Sequence, residues 1–197
     1  SNVKLVGTGA GLIMTWSGNT HYTFEDIAII RAIPNITILS PADATESVKV
    51  AQASAEYDGP VYIRLTAGLN CPIVYKEDYN FKIGKAIKLI DGDDVTIFAT
   101  GTMVHNSLTA QKILLENGIS ASVINIHTIK PIDKVSIKNA NQNSKLIVTV
   151  EEHSTIGGLG GEIAEVISSS NNSVPLLRLG VASLFRHAGD YQYLLKE

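Results

Sequence analysis

The stretch VTIFATGTMVHNSLTAQKILLENGISASVIN, Val95–Asn125, holds the pattern on which the fold turns. Val95–Ala99 is a short apolar run of β-branched and aromatic residues, as expected of a buried strand. Met103 to Asn117 follows with the longer period of a helix, and Gly118 stands at its C-terminal cap position. Ala121–Asn125 is again a strand. Two strands separated by a helix of more than ten residues predict a right-handed crossover and parallel pairing.

The same alternation extends in both directions. Downstream, Asp133 to Asn141 reads as a helix, Leu146–Val150 as a strand, Leu159 to Ser168 as a helix opened by glycines and Leu176–Leu179 as a strand, with a last helix from Tyr191. Upstream, Val3–Val6 is a strand ending at the glycine-rich GTGAG, and Phe24 to Ala32 a helix stopped by Pro34. NITILSP is a strand. Asp43 to Glu46 has capping-box spacing and opens a helix to about Tyr57, and GPVYIRL closes this half as a strand. Thr66 to Ile83 has no sustained period. The expectation is an α/β fold of two units, residues 1–66 and 84–197, joined by a linker over residues 67–83. Each unit is a mainly parallel sheet flanked by helices.

Composition narrows the function. A net charge of -3 offers no concentrated basic face for nucleic acid. No apolar run approaches the roughly 20 residues that span a bilayer. Cys71 is the only cysteine, so no internal disulfide and no Cys-x-x-Cys metal spacing is available, and a reducing, cytoplasmic setting is expected. The chain enters a strand at once, without methionine, which suggests a fragment.

Among motif candidates, GTGAGL at Gly7–Leu12 lacks the third glycine of a dinucleotide fingerprint, since Leu12 takes its place. Its glycines read better as a sharp turn beside a site. GGLGGE at Gly157–Glu162 offers either an anion cradle at a helix start or close helix–sheet packing, and packing is preferred. His21 lies in a polar, glycine-flanked turn among Thr20, Tyr22 and Thr23, where a reactive role and a capping role are both open. Glu25 and Asp26, in the first helical turn, complement the helix dipole and need no catalytic role. His153 stands where a strand ends, at the carboxyl edge where α/β folds place ligands, and reads as a supporting or interface residue. His105 and His127 read as structural and His187 is unassigned; no histidine has metal-ligand spacing.

Two long passages carry a family resemblance. NVKLVGTGAGL with GNTHYTFEDIAIIRAIPNITILSPADATESVKVAQASAEYDGPVYIRL resembles the later part of the pyrimidine-binding domain of transketolases. GKAIKLIDGDDVTIFATGTMVHNSLTAQKILLENGISASVINIHTIKPID with VTVEEHSTIGGLGGEIAEVI resembles their C-terminal domain. The match is closest to C-terminal subunits of split, two-gene transketolases. The resemblance implies thiamine diphosphate with Mg as cofactors, and transfer of a two-carbon ketol unit from a ketose to an aldehyde or aldose. It implies that His21 contacts substrate oxygens, with Thr20 and Ser17 beside it as substrate-binding residues. Ser17 replaces the family's usual hydroxyl-reading aspartate. Gly9 stands where a phosphate-binding histidine is usual, and Ala67 where a phosphate-binding arginine is usual; Arg64 is strand-internal. The related deoxyxylulose-phosphate synthases place arginines near Ala10 and Ala67. These absences together imply a substrate that is not a simple sugar phosphate held in the usual way, such as an unphosphorylated or nucleotide-linked sugar.

The cofactor-activating glutamate and the diphosphate–metal motif belong to segments outside this chain, and Asp91–Asp94 reads as a turn. The resemblance therefore implies a partner, the N-terminal transketolase subunit, with an active site at a subunit interface and a homodimer or heterotetramer. A non-catalytic assembly subunit and a related thiamine enzyme, either deoxyxylulose-phosphate synthase or a 2-oxoacid dehydrogenase beta subunit, are the alternatives.

Overall fold

In the computed structural model, which describes residues 1–66, 71–170, 172–185 and 187–196, each apolar run of the sequence becomes a strand of one of two sheets. The elements in chain order are β1 (Lys4–Thr8), α1 (Asp26–Arg31), β2 (Thr37–Leu39), α2 (Ala44–Glu56), β3 (Val61–Leu65), β4 (Ile87–Ile90), β5 (Val95–Ala99) and α3 (Met103–Glu116). Then come β6 (Ala121–Asn125), β7 (Thr128–Lys130), α4 (Lys134–Asn143), β8 (Leu146–Ser154), α5 (Leu159–Ser168), β9 (Leu176–Val181) and α6 (Tyr191–Leu194). A 3-10 turn at Thr15–Thr20 interrupts the long connection from β1 to α1.

The first sheet has the order β1-β3-β2-β7, parallel except for the β2–β7 pair. The second has the order β4-β6-β5-β8-β9, parallel except for the β4–β6 pair. The inner strands β2, β6 and most of β3 are buried throughout, while the parallel edge strands β1 and β9 are largely exposed. The fold is the expected α/β pair of mainly parallel sheets.

Two strands did not follow from the sequence pattern. β4 and β7 are the antiparallel members, and β7 leaves β6 only two residues after Asn125 to complete the other sheet. His127 lies at this crossing, fully buried, with its carbonyl accepting from the Ser40 N–H at 2.8 Å. The core follows the chain across: Ile27, Ile38 and Tyr62 share one cluster with Phe98, Ile126, Ile129 and Ile163.

The capping box before α2 has a modified form. Asp43 accepts the Glu46 N–H at 2.7 Å, but Glu46 reaches back to Ala42 rather than to Asp43. Fully buried, Glu46 also accepts from Tyr79 and Asn125, while Asp43 takes the N–H groups of Val74 and Tyr75. The segment after residue 70 is thus clasped onto α2 and β6. β8 runs four residues beyond the expected Val150, carrying Glu151, Glu152, His153 and Ser154 to the loop that follows β1.

Candidate functional site

Residues 9–25, between β1 and α1, leave the carboxyl end of a parallel strand, where α/β sheets place their ligands. Gly9 and Gly11 have φ of +75° and +78°, so the glycine-rich start of this loop is a tight turn open chiefly to glycine. Gly11 and Thr23 then pair across the loop's base, with Gly11 N donating to Thr23 O at 2.9 Å and Thr23 N to Gly11 O at 3.3 Å. His21 lies two residues inside this closure.

His21 is exposed, as are Ser17 and Thr20. Its N–H donates to the Gly18 carbonyl at 2.9 Å, and Thr20 Oγ1 lies 2.9 Å from its Nδ1. Thr20 Oγ1 is 3.5 Å from the Ser17 carbonyl, too long for a good O–H···O bond. The ring is tied at Nδ1 to the Thr20 hydroxyl, whichever of the two groups donates, and Nε2 is not used in that bond. Ser17, Thr20 and His21 share one turn with two hydroxyls and an oriented imidazole. A cavity of about 390 Å³ adjoins it, bounded by Asn19, Tyr22, Glu25 and Phe185. Trp16, 85% exposed, projects from the same loop.

His153 lies elsewhere, fully buried on β8 against α1. Nδ1–H donates to the Ser154 carbonyl at 2.7 Å, and Nε2 faces the Ala28 N–H at 3.4 Å. Burial lowers its pKa, so the ring is held neutral between the two halves of the molecule.

Asp26 is in the first turn of α1, as the sequence reading has it, and it also does something that reading did not foresee. It is a buried carboxylate accepting from Arg64 Nε and Tyr62 Oη, each at 2.8 Å, with Oδ1 3.9 Å from His153 Nε2. Burial, followed by the charge of Asp26, pushes the Tyr62 hydroxyl far above its usual range. Arg64 also donates from Nη2 to the carbonyls of Glu152 at 2.9 Å and Thr23 at 3.3 Å. The signal available in the sequence was a charge inside an apolar strand, VYIRL, because arginine is seldom fully buried unless paired.

The GGLGGE segment is filled from within. Glu151 accepts from Leu159 N at 2.7 Å and Gly160 N at 2.8 Å, so an internal carboxylate occupies the start of α5. Among departures from the family pattern, Ala10 is buried, and Ala67 lies outside the described residues. Among the described residues no group of three His, Cys, Asp or Glu could hold a metal ion, and no helix is long and apolar enough to cross a membrane.

The family models that match are "Transketolase, pyrimidine binding domain" over residues 1–71 and "Transketolase, C-terminal domain" over residues 84–196. A Methanocaldococcus jannaschii protein named "Putative transketolase C-terminal section" is 46% identical over 99% of this chain and 61% of its own length. The 6-deoxy-6-sulfo-D-fructose transketolase subunit SqwH of a Clostridium species is 41% identical over 98% of this chain and 59% of its own. A solved structure described as "Split gene transketolase, inactive beta4 tetramer" superimposes with a TM-score of 0.85 at 37% identity, over 98% of this chain and 60% of that one. The chain thus spans about three fifths of the length of these relatives.

Proposed function

Because the chain belongs to the transketolase family, we propose that it supplies the His21 side of a thiamine-diphosphate- and magnesium-dependent site that moves a two-carbon ketol unit from a ketose to an aldehyde or aldose. The observation that carries this reading is the exposed His21 imidazole, fixed through Nδ1 by Thr20, with Nε2 left over for a substrate oxygen. A positioned N–H donor stabilises an oxygen on which negative charge develops as a carbonyl is attacked or released. The hydroxyls of Ser17 and Thr20 flank it as groups for reading substrate hydroxyls.

When bound, thiamine diphosphate supplies the carbon nucleophile that breaks and forms the C–C bond. The residues present do not fit its diphosphate–metal end, since no metal-binding cluster occurs among the described residues. That end is assigned to a partner, the N-terminal transketolase subunit, in a homodimer or heterotetramer in a cytoplasmic setting. The split-gene relative, whose solved beta4 tetramer is described as inactive, supports the need for a partner. The reading divides the chain into a pyrimidine-binding part at 1–66, a linker at 67–83 and a C-terminal-like unit at 84–197.

With Gly9 and Ala10 in place of basic residues, the loop offers no phosphate fork, and the substrate is read as an unphosphorylated sugar or one whose anion sits elsewhere, as in a nucleotide-linked sugar. The names of relatives do not decide this. One names a sulfo-sugar, and another, from an apulose-4-phosphate transketolase of Phocaeicola vulgatus, names a sugar phosphate.

The test combines the full-length subunit with its partner, thiamine diphosphate and Mg, and assays ketol transfer with neutral and phosphorylated sugars. His21→Ala is expected to lower turnover by roughly 10–1000-fold. An unchanged rate would return His21 to a structural role and favour the non-catalytic assembly reading.

A further inference from the structure

Glu152, on β8, belongs to neither the His21 turn nor the Asp26 cluster, yet its side chain touches three separate elements. Oε1 accepts the Leu12 N–H at 2.6 Å, while Oε2 accepts from Thr102 Oγ1 at 2.8 Å and Tyr191 Oη at 2.5 Å. It is 3% exposed, so these bonds form away from competing water. Gly11, adjacent to Leu12, leaves room for it: a Cβ there would stand 2.2 Å from Oε1.

Leu12 follows the Gly11–Thr23 closure directly, and His21 lies two residues before Thr23. A carboxylate gripping Leu12 therefore sets the base on which the His21 turn stands. The opposite side of that base is held by Arg64, which donates to the Thr23 carbonyl and to the backbone carbonyl of Glu152 itself. Further along, the Thr15 carbonyl accepts from Tyr22 Oη at 2.9 Å and from Gly189 N at 3.2 Å. Apart from those to Arg64, to the Leu65 carbonyl, which accepts the Ala10 N–H at 3.2 Å, and within the loop itself, these bonds come from β8 and the C-terminal segment.

We infer that Glu152 is a positioning residue for His21: through Leu12 it fixes the loop that carries the imidazole, and through Tyr191 it ties that loop to α6. This rests on the proposed role of His21. A charge-accepting side chain with three donors is difficult to replace, and displacement of a reacting group by about 1 Å can cost on the order of 100-fold in rate.

The test uses the full-length subunit with its partner and cofactors, comparing Glu152→Ala, Glu152→Gln, Tyr191→Phe and His21→Ala. Hydrogen exchange followed by mass spectrometry reads the loop independently of turnover. Glu152→Ala is expected to speed exchange over residues 9–23 by about tenfold or more, with α2 unchanged, because the Leu12 bond opens. The same variant is expected to lower kcat by roughly 10–100-fold with KM within about threefold. Glu152→Gln, which keeps an acceptor for Leu12 while Thr102 and Tyr191 can turn to accept, is expected to recover most of both losses. Tyr191→Phe is expected to give a smaller loss of the same kind. Wild-type exchange in both Glu152 variants, or faster exchange with unchanged kcat, overturns the inference. An unchanged rate in His21→Ala, with faster exchange in Glu152→Ala, instead removes the role of His21 and leaves the structural link standing.

Discussion

At the scale of single residues, the orientation of His21 depends on one hydroxyl. Thr20 Oγ1 is the side-chain group bonded to its ring, at 2.9 Å from Nδ1. Thr20→Val preserves shape and removes the bond that holds the ring, so the imidazole can turn away from its set orientation. A net hydrogen bond is worth about 1 kcal/mol, which corresponds to roughly a fivefold fall in kcat, with a rise in KM as well because the same hydroxyl is proposed to read the substrate. Thr20→Ser is expected to recover the rate. Steady-state kinetics of the two variants decide it, and equal rates in Val and wild type would show that the turn orients the ring without the hydroxyl. This turn could be read from the sequence because its parts are consecutive. Asp26 and Arg64 could not be joined that way: they are 38 positions apart, and only the parallel pairing of β1, β2 and β3 brings them within 2.8 Å. What VYIRL did show was that a charge inside a buried strand needs a partner; it did not name one.

At the scale of elements, the GGLGGE segment separates two uses of glycine. A Cβ on Gly158 would lie 2.0 Å from Glu151 Oε2 and 2.6 Å from His153 Nδ1, both buried on β8 and unable to retreat. Gly158→Ala is expected to lose roughly 1–3 kcal/mol through overpacking and disturbance of the α5 cap. Gly161, in the first turn of the same helix, would meet only Arg31 Nη1, at an ordinary 3.5 Å. Gly161→Ala is expected to gain up to about 1 kcal/mol from helix propensity. Urea unfolding of both variants measures the pair, and a loss of stability in both would refute the assignment of space to one glycine and not the other. Long elements were the ones placed residue for residue. β5, β6 and α5 fall on their expected residues because each carries five or more residues of one period. β4 and β7, of four and three residues, show no period of their own, whereas β2, just as short, was marked by the β-branched run closed by Pro41 in NITILSP. β7 gains its place by pairing with β2 across the chain rather than from its own pattern.

At the scale of the molecule, the two sheets share a core and a set of buried ionisable groups whose protons report on folding. Burial outweighs the two N–H bonds to Glu151 and pushes its carboxyl from 4.5 up to about 7. Arg64 and Arg178 oppose the shift, and His153 Nδ1 lies 3.7 Å away. A carboxyl raised on folding keeps a proton that the unfolded chain has released. Its contribution is complete below about pH 4.5 and is lost as pH rises through about 7. His127 acts in the opposite sense, since burial lowers its pKa from 6.5 to about 4; its contribution is present above 6.5 and lost as pH falls through 4. His153, also lowered by burial, acts with His127. Glu151→Gln removes only the first of these effects. Relative to wild type it is expected to gain stability with rising pH, by roughly 3 kcal/mol between about pH 4.5 and 8, because the cost of holding a buried carboxylate disappears. Denaturation midpoints of the two proteins, taken at several pH values across that range, provide the measurement. A stability difference that does not change with pH would mean that Glu151 titrates alike in the folded and unfolded chain, and that the start of α5 stabilises its charge as well as water does.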